Sequence, residues 1–106
     1  MEIDIEKLVV KNNTQRKRFE VELGEYNKAY IDYRKVGDKY TLVHTEVPQQ
    51  YAGKGIGDRL ARGSLALIEA EGATITVTCP FLTKWLKRHP DYDSLLAGKP
   101  NQDTEI

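Results

Sequence analysis

Three glycines in one short stretch could give this chain a binding site for an anion. Gly53, Gly55 and Gly57 occupy alternate positions of the segment YAGKGIG, between an apolar β-prone run and a segment with helical spacing. Glycine lets the main chain turn tightly and expose successive N–H groups. Unpaired amides and the positive end of the dipole at a helix start favour an anion, most often phosphate. The alternative is a glycine-rich turn that binds no ligand.

Two widespread nucleotide-binding motifs do not account for this loop. A P-loop requires Lys and then Ser or Thr after its last glycine, but Gly57 is followed by Asp58 and Arg59. The Rossmann fingerprint requires the spacing G-x-G-x-x-G, whereas the glycines here are spaced G-x-G-x-G. The loop therefore predicts an anion site of another kind.

Four predicted strands lead up to the loop. Residues 8–10 form a short β-prone run, and the Asn-Asn pair in KNNTQ predicts a turn after it. The next two segments alternate apolar with polar residues, and Gly37-Asp38 predicts a tight turn into the fourth strand, KYTLVHTEV. The apolar sets of the two alternating segments are Phe19, Val21 and Leu23, and then Ala29, Ile31 and Tyr33. The first 47 residues therefore predict an antiparallel meander.

The pattern changes to helical spacing at Gly55 and back to strand spacing at residue 73. ATITVT predicts a strand that ends at Cys79-Pro80, because proline cannot donate to the ladder. A second, short helix is predicted over residues 81–88. The apolar stripe of the first helix comprises Ile56, Leu60, Gly63, Leu67 and Ala70, broadened by Leu65, Ala66 and Ile68, and Gly72 ends it.

A strand, a helical crossover and another strand form a right-handed parallel unit. The strand ending at Val47 should therefore pair in parallel with the strand of residues 75–78. We expect a layered α/β (α+β) fold, with a mixed, mostly antiparallel sheet and one parallel pair around a central helix. The length of 106 residues fits one domain over residues 1–98, and residues 99–106 predict a frayed tail.

Composition limits the kinds of partner and site. The 16 acidic and 16 basic residues balance, so no net field recruits nucleic acid or an acidic membrane, and we expect neither as a partner. A single cysteine, Cys79, argues against an intrachain disulfide and a zinc site of several thiolates, and we expect no metal. The N-terminus lacks a basic region followed by an apolar run. We expect a soluble protein of the cytoplasm.

The segment VPQQYAGKGIGDRL, residues 47–60, resembles the acetyl-CoA-binding signature of the GNAT N-acetyltransferase superfamily. That signature, Arg/Gln-x-x-Gly-x-Gly/Ala at a strand-to-helix junction, falls on residues 52–57. HTEVPQQYAGKGIG, TVTCPFLTKWLKRHPDY and the short length also resemble the minimal single-domain members found in bacteria, plants and animals. The resemblance covers residues 26–96. It implies the GNAT acyl-CoA N-acyltransferase fold without its usual first two helices, because residues 12–15 predict only a turn.

The resemblance implies acetyl-CoA or coenzyme A as the cofactor. Pantetheine would lie along the strand at Thr45 and Val47, where that strand separates from its parallel neighbour. Ala52 departs from the signature, which usually has Arg or Gln there, and should weaken the affinity without abolishing the site. The pyrophosphate would bind the main-chain amides of the loop, which belong to Ala52, Gly53, Lys54, Gly55, Ile56, Gly57 and Asp58.

Acetyl transfer to an amine needs a base for the amine and an acid for the departing thiolate. His44 and Glu46 project from one face of the strand before the loop. Glu46 could act as the base, directly or through a water, with His44 orienting it or sharing the role. The alternative interpretation is an ion pair on a solvent-exposed face.

The predicted acid is Cys79. Many larger GNATs use a tyrosine on the helix after the second parallel strand, but here that helix has Trp85 and no tyrosine. Cys79 stands at the carboxyl end of the preceding strand, and the resemblance to the minimal subfamily implies a catalytic role for it. It could protonate the leaving thiolate or accept the acetyl group transiently. The alternative is a small buried hydrophobe, as most free cysteines are.

Together these features predict an acetyl-CoA-dependent N-acetyltransferase. Without two covering helices its acceptor groove should be open, which favours an exposed lysine or the N-terminus of a protein as the amine acceptor. The alternative is a CoA-binding or interaction module that keeps the fold without efficient catalysis.

Overall fold

A five-stranded sheet organises the chain in the structure, a computed structural model that describes residues 4–24 and 26–97. The order of the strands in the sheet is their order in the sequence. The first four pair antiparallel, and the fifth pairs parallel to the fourth. The predicted fold class is therefore confirmed. The strands are β1 (Lys11–Asn13), β2 (Arg18–Gly24), β3 (Asn27–Val36), β4 (Lys39–Glu46) and β5 (Thr74–Val77).

The first strand lies later than predicted. Residues 8–10 have no regular structure, and β1 instead uses the Asn-Asn pair that predicted a turn. Asn12 accepts a 2.6 Å hydrogen bond from the Tyr33 hydroxyl, which holds this polar strand to the sheet. Val10 lies against Gly63 of the long helix, where an added Cβ would overlap it. Val10 therefore packs on a helix and not in the sheet, whereas Val9 is exposed. The turn between β1 and β2 comprises residues 14–17.

The crossover helix α1 (Ile56–Ala70) lies between β4 and β5 in the sequence and ends before Gly72, whose φ is +72°. The prediction of its buried face was wrong in part. Gly63 and Leu67 are only half-buried, and Ala66 and Ala70 are exposed. At Gly63 this flank of the helix is turned toward Val10 of the N-terminal segment and away from the sheet. The buried residues are Ile56, Leu60, Ala61, Ser64, Leu65 and Ile68.

The parallel pairing of β4 with β5 is short. It runs from Lys39 opposite Thr74 to Leu42 opposite Val77. The Leu42 carbonyl then accepts from the amides of Thr78, at 3.0 Å, and Cys79, at 3.3 Å. Beyond this point, within the described residues, β4 pairs with β3 alone. The β5 side of the last residues of β4 is therefore free of a neighbouring strand, as predicted.

The second helix, α2 (Pro80–Lys87), confirms the prediction of a helix over residues 81–88 to within one residue. A 3-10 helix, Pro90–Leu95, follows it and was not predicted. After that, Leu96 forms a parallel bridge with Ile75, and the Ala97 amide donates to the Ile75 carbonyl at 2.7 Å. This last described segment therefore returns to the free edge of β5.

The core lies between the sheet and the two helices. Its aromatic residues Phe19, Tyr33 and Tyr40 contact one another with ring centroids 4.8–5.5 Å apart, and Trp85 of α2 is buried. Among the described helices, none is both long and apolar enough to cross a membrane. The predicted tail, residues 99–106, lies outside the described residues, so its assignment and the limits of the domain stay predictions.

Candidate functional site

The glycine loop forms the start of α1 in the way the sequence predicted. A 3-10 turn, Gln49–Tyr51, precedes it, and Gly53 and Gly55 then adopt φ values of +76° and +83°. These left-handed conformations are costly for residues with a Cβ. Gly55 is the N-cap of α1, and no side chain caps the helix. The main chain of this loop is therefore exposed, and the amides at the start of the helix could donate hydrogen bonds to an anion.

The third glycine serves a different purpose. Gly57 is already helical, and a Cβ there would lie 2.8 Å from Cζ of Phe81 on α2. Such a distance is too short for two carbon atoms, so Gly57 allows close packing between the two helix starts. Phe81 itself is 38% exposed, and its ring lies beside the loop.

Tyr51 anchors the loop to the sheet, a role that the sequence did not predict. Its side chain is buried, and its hydroxyl donates to the Leu23 carbonyl of β2 at 3.2 Å. In the sequence, the only sign of this contact was an aromatic residue two positions before Gly53.

Asp58 was predicted to contact the cofactor, and the structure shows where its side chain lies. One carboxylate oxygen accepts from Trp85 Nε1 and the other from Arg62 Nε, both at 2.9 Å. Burial on its own would raise the pKa of Asp58, but the hydrogen bonds from Trp85 and Arg62 outweigh it, so the pKa lies below its usual value. The charged side chain is held toward α2. Only the Asp58 amide is left to contact an anion.

His44 and Glu46 form the pair that their alternation predicted. His44 Nε2 lies 3.0 Å from Glu46 Oε1, and the side chains are 55% and 49% exposed. They stand opposite Asp32 and Tyr30 of β3. This places an imidazole beside a carboxylate on a solvent-accessible face of the sheet. We call it the outer face, defined by His44, Glu46, Asp32 and Tyr30.

Cys79 lies on the other side of β4, with only 3% of its surface exposed. Its Sγ is 3.3 Å from Oγ1 of Thr45, whose side chain alternates with those of His44 and Glu46. Cys79 is the N-cap residue of α2, yet its side chain makes no capping hydrogen bond. The structure therefore brings Thr45 to Cys79 and His44 to Glu46, with the backbone of β4 between the two pairs.

The remaining predicted positions frame the site. Val47 follows β4, is half-buried and packs against the core, while Ala52 and Lys54 are exposed in the loop and Ile56 is buried at the helix start. Among the described residues there is no group of three or more His, Cys, Asp or Glu side chains arranged to hold a metal ion.

Comparison with known proteins identifies the family. Residues 18–95 match the family model described as GCN5-related N-acetyl-transferase. Protein NATD1 of mouse is 36% identical over 83 residues, covering 76% of each chain, and that of zebrafish is 34% identical over 90 residues, covering 81% of this chain and 82% of its own.

A solved structure agrees with the fold. The solution structure of a GCN5-like protein from Staphylococcus aureus superposes with a TM-score of 0.65 over 92% of this chain and 95% of that one, at 22% identity. At that identity the likeness concerns the fold alone. The matched family model and the NATD1 relatives show that this chain belongs to the GCN5-related N-acetyltransferase (GNAT) family.

Proposed function

We propose that this protein binds acetyl-CoA and transfers the acetyl group to an amine, with an exposed lysine or the N-terminus of a protein as the acceptor. The observation that carries the proposal is the start of α1, which is built of glycines and capped by no side chain. The loop follows β4, whose residues beyond Leu42 have no partner strand on the β5 side among the described residues. Membership of the GNAT family supports an acetyltransferase-like activity.

The residues present fit the cofactor. The amides from Gly53 to Asp58 would hold its pyrophosphate, since the loop is exposed and two of its glycines are left-handed. The predicted contact at Ala52 is not supported, because the Ala52 amide already donates to the Gln49 carbonyl at 3.0 Å. The backbone at Thr45 and Val47 would hold pantetheine, because β4 has no partner there on its β5 side among the described residues. Ala52 brings no side-chain donor, so the affinity would depend on main-chain contacts.

The proposed chemistry uses both faces of β4. Bound acetyl-CoA would supply an activated acyl group in the form of a thioester. Glu46 would accept the proton of the attacking amine on the outer face, oriented by His44 at 3.0 Å. Cys79, on the opposite face, would give a proton to the departing thiolate. The amine and the leaving sulfur would occupy two different corners of the tetrahedral intermediate, so the proposed base and the proposed acid need not lie on the same face.

The acceptor class follows from the exposure of Glu46. About half of its side chain is open to solvent, as is that of His44, so no described helix encloses the base. An open face accepts the side chain of a large partner more readily than it selects a small metabolite. A polyamine acetylated far better than peptides would contradict this acceptor class.

Calorimetry with acetyl-CoA and with CoA tests the cofactor. We expect both to bind, with the enthalpy change reporting saturation at a single site. If neither binds, both the transferase and the CoA-binding alternative fail.

Release of free CoA thiol in the presence of amines tests the transfer. With lysine peptides as acceptors, we expect Cys79→Ala to lower the rate at least tenfold while acetyl-CoA still binds. Binding without thiol release from any amine would instead favour the CoA-binding or interaction module. Two observations favour this second candidate function: Cys79 is buried, and position 52 is an alanine.

A further inference from the structure

We propose that Thr45 is a positioning residue whose hydroxyl holds the sulfur of Cys79 and stabilises its negative charge. The inference rests on the proposed acetyl transfer, because it assigns the group that prepares the proposed acid. It concerns the side chain of Thr45, whereas the proposed contact with pantetheine concerns the main chain of the same residue.

The first observation is the contact itself. Thr45 Oγ1 and Cys79 Sγ are 3.3 Å apart, although 34 residues separate them in the sequence. Either atom can donate, since a hydroxyl and a thiol are each both donor and acceptor. The pair can therefore persist in both protonation states of the sulfur.

The second observation is that Thr45 is fixed from one side. It pairs with Ile31 of β3, and beyond Leu42 this part of β4 has no described partner on its β5 side. A β-branched side chain on such a strand has few rotamers, so the direction of its hydroxyl is restricted. Thr45 therefore presents its oxygen at the position where the two parallel strands stop pairing.

The third observation is that the other polar groups of Cys79 are occupied. Its amide donates to the Leu42 carbonyl, and its carbonyl accepts from the amide and the hydroxyl of Thr83, both at 2.9 Å. The sulfur makes no capping hydrogen bond to α2. Within the described part of the chain, the hydrogen-bonding partner of this nearly buried sulfur is the Thr45 hydroxyl.

These contacts define a role during transfer. At rest the Cys79 thiol and the Thr45 hydroxyl share a hydrogen bond. As the amine nitrogen bonds to the carbonyl carbon, the carbon–sulfur bond breaks and its electron pair stays on the departing sulfur, which takes the proton from Cys79. Glu46 takes the proton that the amine loses. The Thr45 hydroxyl then donates to the Cys79 thiolate until solvent returns its proton.

Alkylation of the sulfur tests the link without cofactor or acceptor. Since Cys79 is the one cysteine of the sequence, every alkylated thiol is Cys79. The rate of reaction with iodoacetamide is measured from pH 6 to 10 for the parent, Thr45→Val, Thr45→Ala and Thr45→Ser. Thr41→Val makes the same change four residues earlier on β4 and serves as the matched control. Circular dichroism confirms that each variant folds.

We expect Thr45→Val and Thr45→Ala to lower the rate of alkylation at neutral pH about tenfold, because the thiolate loses a charge-assisted hydrogen bond. Thr45→Ser and Thr41→Val should match the parent. Profiles of Thr45→Val and Thr45→Ala that equal the parent's would overturn the inference. So would a parent sulfur that reacts at no pH, since a sealed thiol cannot meet a thioester. If Thr45→Val does not fold, Thr45→Ala and Thr45→Ser decide the outcome.

Transfer by the same variants separates this inference from the proposed function. We expect Thr45→Val to lower kcat about tenfold with little change in KM, and Thr45→Ser to restore it. An altered alkylation profile with unchanged kcat would overturn the role of Thr45 in transfer while leaving the hydrogen bond established. The parent protein could transfer no acetyl group while Thr45→Val still alters the alkylation profile. In that case the proposed function has failed, but the pairing of Thr45 with Cys79 stands.

Discussion

At the residue scale, the three glycines of the loop are required for two different reasons. Gly53 and Gly55 have positive φ values, whereas Gly57 is helical and leaves room for Phe81. Their alternate spacing predicted the turn but could not show this difference, because the contact with Phe81 joins residues 24 positions apart. Substitution at Gly53 or Gly55 should therefore strain the backbone, whereas substitution at Gly57 should disturb the packing on Phe81.

Replacing Gly55 with alanine should lower both stability and cofactor affinity. The left-handed conformation costs alanine roughly 1–2 kcal/mol, and relaxing it would turn the loop amides away from the anion. Gly37→Ala is the matched control, because Gly37 is also left-handed, with φ +58°, but lies in the hairpin turn between β3 and β4. Urea unfolding should show similar losses in both variants, and calorimetry should show weaker acetyl-CoA binding only in Gly55→Ala. Equal acetyl-CoA affinities in the two variants would contradict binding of the pyrophosphate by the loop amides.

Glu46→Gln tests the proposed base. The amide cannot accept the amine proton, so we expect kcat to fall about 100-fold, while acetyl-CoA binding stays the same. Glu22→Gln changes another exposed glutamate, on β2, and should leave the rate unaltered. Thiol release with a lysine peptide measures both variants. If Glu46→Gln is as fast as the parent, the His44–Glu46 pair is an ordinary surface contact and not the base.

At the element scale, one carboxylate joins the start of α1 to the second half of α2. Asp58 in the first turn of α1 accepts from Trp85 of α2 and from Arg62. The indole of Trp85 in turn stacks on His89 with ring centroids 3.9 Å apart. Because Cys79 begins α2, this connection fixes the proposed acid relative to the glycine loop.

The depressed pKa of Asp58 predicts an acid-dependent contribution to stability. A group whose pKa is lower in the folded state stabilises the fold above its unfolded value, near 4, and this contribution is lost as the pH falls through the folded value. Asp58→Asn should therefore lower the unfolding free energy by about 1 kcal/mol at pH 7. The loss is small because solvent screens a half-exposed side chain, and it should shrink below pH 4.

Urea unfolding at pH 7 and pH 3 measures this difference. Asp91→Asn, at an exposed aspartate of the 3-10 helix after α2, controls for the general effect of losing one negative charge. An equal deficit of Asp58→Asn at both pH values would show that the charge on Asp58 does not join the helices.

Local patterns predicted the elements whose contacts are close in sequence. Spacing placed α1, α2 and β5, and the crossover rule then gave the parallel pair. The errors lie where distant residues decide the structure. Val10 packs on Gly63, which moved the first strand, and Ala97 bonds to Ile75, which ordered a segment without periodicity. For the same reason the sequence named Cys79 and Thr45 as site residues but could not show that they touch.

At the scale of the whole molecule, the sheet divides the candidate site. The outer face carries the half-exposed His44–Glu46 pair, while the opposite side carries the loop, both helices and the buried Cys79. β4 is the shared element, and it can serve both sides because β5 stops pairing with it at Leu42. The proposed base is therefore half exposed on one side of the sheet, and the proposed acid is nearly buried on the other.

The extent of the domain can be tested by shortening the chain. A chain ending at residue 98 should keep the unfolding free energy of the parent within about 0.5 kcal/mol, if the domain spans residues 1–98 as predicted. A chain ending at residue 94 should lose about 2–4 kcal/mol, because it removes buried Leu95 and the bond from Ala97 to Ile75. Leu95→Ala in the full chain should fall between the two. Urea unfolding measures all four proteins, and a loss already present at residue 98 would extend the domain into residues 99–106.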